Sequence, residues 1–223
     1  GHSEGGMIAE MVAAQRKDLD FIVLLAAPGI KIIDLMADQN RAVLQSNGAT
    51  REMADAYVAL YKPLTLLLAN SKDENAAKKA AQQVIDAWAK QTPKEIVLAT
   101  TGIKDQQSKA TFINEFYRNV SKPWFRYFLQ YDPAPYVKKI SAKVLALNGD
   151  KDIQVLSKPN LAGLKAALQE SPSKTFDTVE LNGLNHLFQH CNKCTIAEYS
   201  QVEETVAPEV LQTIENWLAK NVK

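Results

Sequence analysis

Ser3 stands in Gly1-His2-Ser3-Glu4-Gly5, a G-x-S-x-G pattern, and two residues far along the chain could make it reactive. A serine hydroxyl is a weak nucleophile until an imidazole takes its proton. That imidazole in turn needs a carboxylate to fix its tautomer and stabilise its charge. Asp152, in Asn148-Gly149-Asp150-Lys151-Asp152, and His186, in Asn182-Gly183-Leu184-Asn185-His186, supply the two groups, in the order serine, acid, histidine. The chemistry is acyl transfer through a covalent serine intermediate.

Each residue also has an ordinary structural role open to it. Ser3 could cap a helix, and Asp150 and Asp152 could cap turns after a strand. Asp150 is the rival acid, but Asp152 directly precedes the apolar Ile153 and Val155. His190 is the rival base, four residues further from its strand. His2, at the first variable position, is expected to pack away from the acid. Taken together, the three placements favour the triad.

The elements that must position these groups follow from periodicity. Met7, Ile8, Met11 and Val12 recur at helical spacing after Gly5-Gly6, followed by polar Gln15 to Asp18 and the apolar strand Phe21 to Ala27. The pattern then turns helical over Ile32 to Val43, Thr50 to Leu68, Glu74 to Lys90, Asp105 to Asn119 and Pro123 to Gln130. Gly48, Pro63, Pro93 and Gly102 are expected at its joints. This is too much helix for a simple crossover, and reads as a helical lid inserted between two parallel strands. Strands return at Lys143 to Leu147 and Thr178 to Leu181, with helices from about Asn160 to Gln169 and Pro208 to Lys220. The expected divisions are 1–30 for the elbow, first helix and strand, 31–138 for the lid, and 139–223 for the rest of the α/β core. Asp152 and His186 each follow a strand, which puts both at the carboxyl edge of the sheet.

With 223 residues, 46% hydrophobic, the chain can bury a substantial core. Its 26 basic and 25 acidic residues nearly cancel and nowhere cluster, which argues against nucleic acid as a partner. The longest apolar runs, such as Leu64 to Ala69, fall short of the ~20 residues a membrane span needs. Cys191 and Cys194 form a C-x-x-C, but a structural zinc site draws four ligands and the chain has three histidines. A redox dithiol would follow a strand and open a helix. Two readings remain, a local disulfide or two free thiols. The disulfide is favoured, and with it a periplasmic or secreted setting.

The segments Gly1 to Met7, Leu147 to Val155, Gly183 to Gln189, and Ile196 to Leu211 together resemble a bacterial branch of the α/β-hydrolase superfamily. Its members are esterases and lipase-like or peptidase-like serine hydrolases. The resemblance implies Ser3 as nucleophile, Asp152 as orienting acid, His186 as general base, and the Glu4 N–H as one oxyanion-hole donor. No metal or organic cofactor is required by that chemistry.

Members of the family carry strands before the elbow, whereas this chain starts at it. The expected fold is therefore a truncated α/β-hydrolase, a partial parallel sheet with a helical lid insertion. The loop giving the second oxyanion donor would then be missing, and losing one such donor costs about 2.7 to 4 kcal/mol. Phe21 to Ala27 would become an apolar edge that invites self-association. Trp124, Phe125, Phe128 and Tyr131 gather aromatics before the strand that leads to Asp152. They could line a pocket for an apolar or aryl ester, or could pack the lid onto the core. Arg126 could anchor a carboxylate or stand exposed. The reading that follows is a serine carboxylester hydrolase acting on small-molecule esters. Its alternatives are a catalytically silent fragment serving as an association module, and a peptidase with the same triad.

Overall fold

The computed structural model describes residues 1–222. The chain divides into two compact units, one made of Gly1–Leu35 with Asp132–Lys223 and the other of Met36–Tyr131.

The first unit is α/β. It opens with helix α1 (Glu4–Gln15) and strand β1 (Phe21–Leu25), and α2 (Ile32–Ser46) carries the chain into the second unit. That second unit is all helical: α3 (Arg51–Asn70), α4 (Glu74–Gln91), α5 (Lys94–Thr101), α6 (Gln106–Val120) and α7 (Pro123–Leu129). The first unit then resumes with α8 (Ala134–Val137), β2 (Lys143–Gly149), α9 (Ser157–Gln169), β3 (Phe176–Leu181), a 3-10 turn over Ile196–Gln201, and α10 (Pro208–Asn221).

The three strands form one parallel sheet in the order β1-β2-β3. Leu25 pairs with Leu147 and Gly149 with Leu181, so all three strands end along one rim. β2 is central. Val144 to Leu147 are each at most 1% exposed, as a parallel strand covered on both faces requires. Leu24, Val137, Ile140, Leu164 and Leu168 complete this core.

Gly1 to Ser3 run parallel to β1 on its outer side as a short added strand segment, bridged at His2 and Leu25. The Gly1 nitrogen donates to the Val23 carbonyl at 2.8 Å, Leu25 N–H to Gly1 O at 2.9 Å, and Ser3 N–H to Leu25 O at 2.8 Å. This corrects the expectation of a bare apolar edge from Phe21 to Ala27. The end next to the elbow is paired, and Ala26 and Ala27 are at most 2% exposed. Phe21, at 36%, is the exposed member.

The helical unit departs from expectation at one of its presumed joints. Pro63 lies inside α3, where a proline removes a hydrogen bond and costs about 3 kcal/mol. Leu60, Leu64 and Leu68 are each at most 1% exposed in the unit's core. Burying such side chains is worth ~1.5–3 kcal/mol apiece, enough to carry the helix through. Pro93 and Gly102 do fall at joints, Pro93 as the N-cap of α5 and Gly102 as its left-handed C-cap at φ 71°, but the helix between them was not expected.

Candidate active site

Ser3 occupies the turn between the added strand and α1 with φ 53° and ψ −120°. A non-glycine residue in this region costs of order 1–3 kcal/mol and persists only where its surroundings hold it. Ser3 N–H is fixed to Leu25, Gly5 N–H donates to His2 O at 2.7 Å, and Gly6 N–H to Ser3 O at 2.8 Å. A Cβ on Gly1 would lie 2.1 Å from Gly5 O, and one on Gly6 2.4 Å from the Ala27 Cβ. A Cβ on Gly5 meets nothing. The tight approach of helix to strand therefore falls on Gly6, one residue beyond the motif. Neither the Ser3 hydroxyl nor the Glu4 N–H has a hydrogen-bond partner among the described residues. Glu4 opens α1, where the first amides have no intrahelical acceptor. Both groups are available to a ligand.

Asp152 and His186 come together. His186 Nδ1 lies 2.8 Å from Asp152 Oδ2, with the two residues 5% and 4% exposed. An ionised carboxylate only accepts, so Nδ1 carries the proton and Nε2 is left as the basic nitrogen. Asp152 is itself held by four donors. Oδ1 accepts from the Gln154 and Val155 N–H groups at 2.8 and 2.9 Å, and Oδ2 accepts from Asn148 Nδ2 at 3.1 Å as well as from His186. These bonds compensate the cost of burying the charge.

The rival residues have other partners. Asp150 accepts from Gly183 N–H at 2.6 Å, where Gly183 turns at φ 81°, and Asp150 N–H donates to Leu181 O at 2.9 Å. It fastens the Asp152 loop to the His186 loop. The same two loops touch at Gly149, where a Cβ would stand 2.1 Å from Leu184 O. His190 is exposed between Glu204 (Nδ1 to Oε2, 3.1 Å) and Glu209 (Nε2 to Oε1, 2.9 Å).

His2 does not pack away from the acid, as expected from the sequence. Its ring lies 4.8 Å from that of His186, and its Nε2 is 2.8 Å from the His186 carbonyl oxygen, which requires the proton on Nε2. Burial, the largest influence, lowers its pKa. Because His2 precedes Ser3, this contact also ties the Ser3 turn to the His186 loop.

Asn185 organises that loop. It is fully buried, and its Oδ1 accepts from Leu187 N–H at 2.9 Å and Gln189 N–H at 3.0 Å. Phe188, at φ 61°, and Ala26, at φ 46°, join Ser3 among the four non-glycine residues at positive φ in the described chain. Three such residues close to one rim match the clustering of backbone strain at functional sites. Cys191 and Cys194 are joined as a disulfide, and no group of three or more potential metal ligands exists among the described residues.

The aromatic candidates lie on or just after α7 in the helical unit. Trp124 is 47% exposed and stacks at 6.5 Å on Phe128, which is partly buried, while Phe125 packs against that unit's core and Tyr131 is 5% exposed. Arg126 is partly buried, and its Nε has no hydrogen-bond partner among the described residues. Asn148, Asn185, His2 and Gln154 went unread as site residues in the sequence. An Asn on either side of a Gly-rich turn after a strand was the signal available for the first two.

No helix among the described residues is long and apolar enough to cross a membrane. No model of a protein family matches the sequence, and no curated protein matches it. Solved structures that align with it include the candidate non-heme bromoperoxidase BpoC from Mycobacterium tuberculosis H37Rv. It is 15% identical with a TM-score of 0.42, over 100% of this chain and 66% of that one. E-2-(acetamidomethylene)succinate hydrolase is 17% identical with a TM-score of 0.43, over 98% and 65%. A candidate lipase from Acinetobacter baumannii AYE is 18% identical with a TM-score of 0.37, over 97% and 60%. The chain thus spans 60% to 66% of the length of these structures.

Proposed function

We propose that the chain is a serine hydrolase of the α/β-hydrolase type that cleaves carboxylic esters through an acyl-enzyme. The buried Asp152–His186 pair carries the reading, since a hydrogen-bonded acid and imidazole with a free Nε2 is what a serine nucleophile requires. The strained turn at Ser3 supports it.

In the proposed reaction His186 Nε2 takes the Ser3 hydroxyl proton as Oγ attacks the ester carbonyl. Asp152 stabilises the imidazolium through Nδ1–H. The oxyanion formed is stabilised by the Glu4 N–H at the positive end of α1. The intermediate collapses with the proton passing from His186 to the departing alkoxide, leaving acyl-Ser3 and an alcohol. Water, deprotonated by His186, then attacks the acyl carbon, releasing the acid and restoring the serine. Trp124, Phe125, Phe128 and Tyr131 are proposed to favour an aryl or apolar ester, on the strength of their aromatic character.

A burst experiment tests this reading. An activated aryl ester should release phenolate in a fast phase stoichiometric with protein, then more slowly at steady state. Ser3→Ala should abolish both phases. A folded protein that gives no release overturns the proposal.

A second reading, a catalytically silent association module, is favoured by the absence of a hydrogen bond on the Ser3 hydroxyl and by the exposed apolar side chains of Ile8 (48%), Val12 (43%) and Phe21 (36%). It predicts concentration-dependent self-association in sedimentation and no turnover.

A further inference from the structure

Tyr199 lies outside the segments that carry Ser3, Asp152 and His186. It stands in the 3-10 turn Ile196–Gln201, and its phenol oxygen accepts from Gln154 Nε2 at 3.2 Å. Gln154 is the residue whose main-chain N–H holds Asp152 Oδ1 at 2.8 Å. Burial pushes the Tyr199 pKa up. Hydrogen bonding from Gln154 opposes that shift, the Asp152 charge adds to it, and the His186 main chain opposes it too. The phenol oxygen is thus in touch with the residue whose main chain holds Asp152.

The placement of Tyr199 depends on its neighbour. The Glu198 carboxylate accepts from three successive amides, those of Asn192 at 3.0 Å, Lys193 at 3.0 Å and Cys194 at 2.6 Å. Amides converge in this way where the chain turns through a left-handed residue, here Cys194 at φ 56°. The Cys191–Cys194 bond spans that turn, with the two Cα atoms 5.0 Å apart. The disulfide closes the turn, the turn presents the amides, and the amides hold Glu198 beside Tyr199.

We propose that Tyr199 is a positioning residue for the Asp152–His186 pair, kept in place by the Cys191–Cys194 bridge acting through Glu198. The proposal rests on the hydrolase reading of that pair. The phenol acts on the Asp152–His186 pair through Gln154, without touching the reacting atoms. Removing its oxygen should therefore affect the chemical step and leave substrate binding alone.

The test compares the 223-residue chain with Tyr199→Phe, Glu198→Gln, Cys191→Ser/Cys194→Ser, and the Tyr199→Phe change combined with the cysteine pair. Tyr199→Phe keeps the ring and removes one atom. It should lower kcat on an aryl ester roughly 3- to 10-fold, about the worth of one neutral hydrogen bond, with KM unchanged. The His186 Nδ1 proton resonance, read by NMR without substrate, should shift or broaden in the same variant. Glu198→Gln and the cysteine variant should reproduce both effects, and the combined variant should lose less than about 2-fold more, because the residues act along one route. An unchanged kcat and an unchanged Nδ1 resonance in Tyr199→Phe, or losses that multiply in the combined variant, overturn the proposal. If the wild-type protein turns over no ester, the hydrolase reading fails by itself and the resonance decides the positioning claim. A changed signal in Tyr199→Phe supports it, and an unchanged one overturns it.

Discussion

His2 Nε2 donates to the main-chain carbonyl of His186 at 2.8 Å, tying the residue before the candidate nucleophile to the candidate base. The contact links two segments 184 positions apart, so the distance between Ser3 and the imidazole does not depend on loop stiffness alone. His2→Ala leaves that carbonyl without its donor. The labelling rate of Ser3 by a fluorophosphonate should fall about 3- to 10-fold. His2→Gln, which keeps a donor, should recover part of the loss.

The same residue makes stability depend on pH. Burial lowers the His2 pKa below its ordinary 6.5, so at mildly acidic pH the unfolded chain binds the proton more readily than the folded one. Stability should fall as pH drops from about 6.5 towards the depressed folded value, and level off below it. Urea midpoints measured between pH 7.5 and 5 should show this slope, and His2→Gln should flatten it.

Two adjacent glycines should respond in opposite ways. Gly6→Ala drives a Cβ to 2.4 Å from the Ala27 side chain and should destabilise by about 1–3 kcal/mol. Gly5→Ala faces open space in the first turn of α1 and should be neutral or stabilise by up to ~1 kcal/mol. Urea denaturation of the two variants checks both signs.

The two aspartates of the acid loop should separate chemistry from structure. Asp152→Asn keeps a hydrogen-bonding side chain but favours the wrong imidazole tautomer, and should lower kcat about 10³- to 10⁴-fold. Asp150→Asn weakens the tie to Gly183 and should show mainly as a lower Tm, with kcat changed less than about 10-fold.

Trp124 and Tyr131 offer a further separation. Trp124, 47% exposed, should lose little stability when changed to Ala. Tyr131, 5% exposed, should cost about 3 kcal/mol or more when changed to Ala, which thermal unfolding would read.

The strands were legible because a buried parallel strand is a continuous apolar run. Lys143 to Leu147 reads that way and forms the fully covered β2. Asp152 was legible as a candidate because it follows that run, and His186 because it follows β3, a shorter mixed strand, FDTVEL, with no fully buried position. One breaker misled. Pro63 sits inside α3, since packing in the helical core outweighs local preference, whereas Pro93 and Gly102 bound a helix as breakers do. The roles of His2, Asn148, Asn185 and Gln154 depend on contacts across long separations or on a particular loop geometry. Periodicity carries no trace of either. Even the motif's own glycines were only half informative, because the close approach falls on Gly6 and not on Gly5.

Covalent labelling addresses the central claim most directly. The purified chain, treated with a fluorophosphonate and mapped by peptide mass spectrometry, should carry one adduct, on Ser3, that disappears in His186→Ala. A folded protein that stays unlabelled at Ser3, or one labelled equally well without the imidazole at 186, would contradict the account.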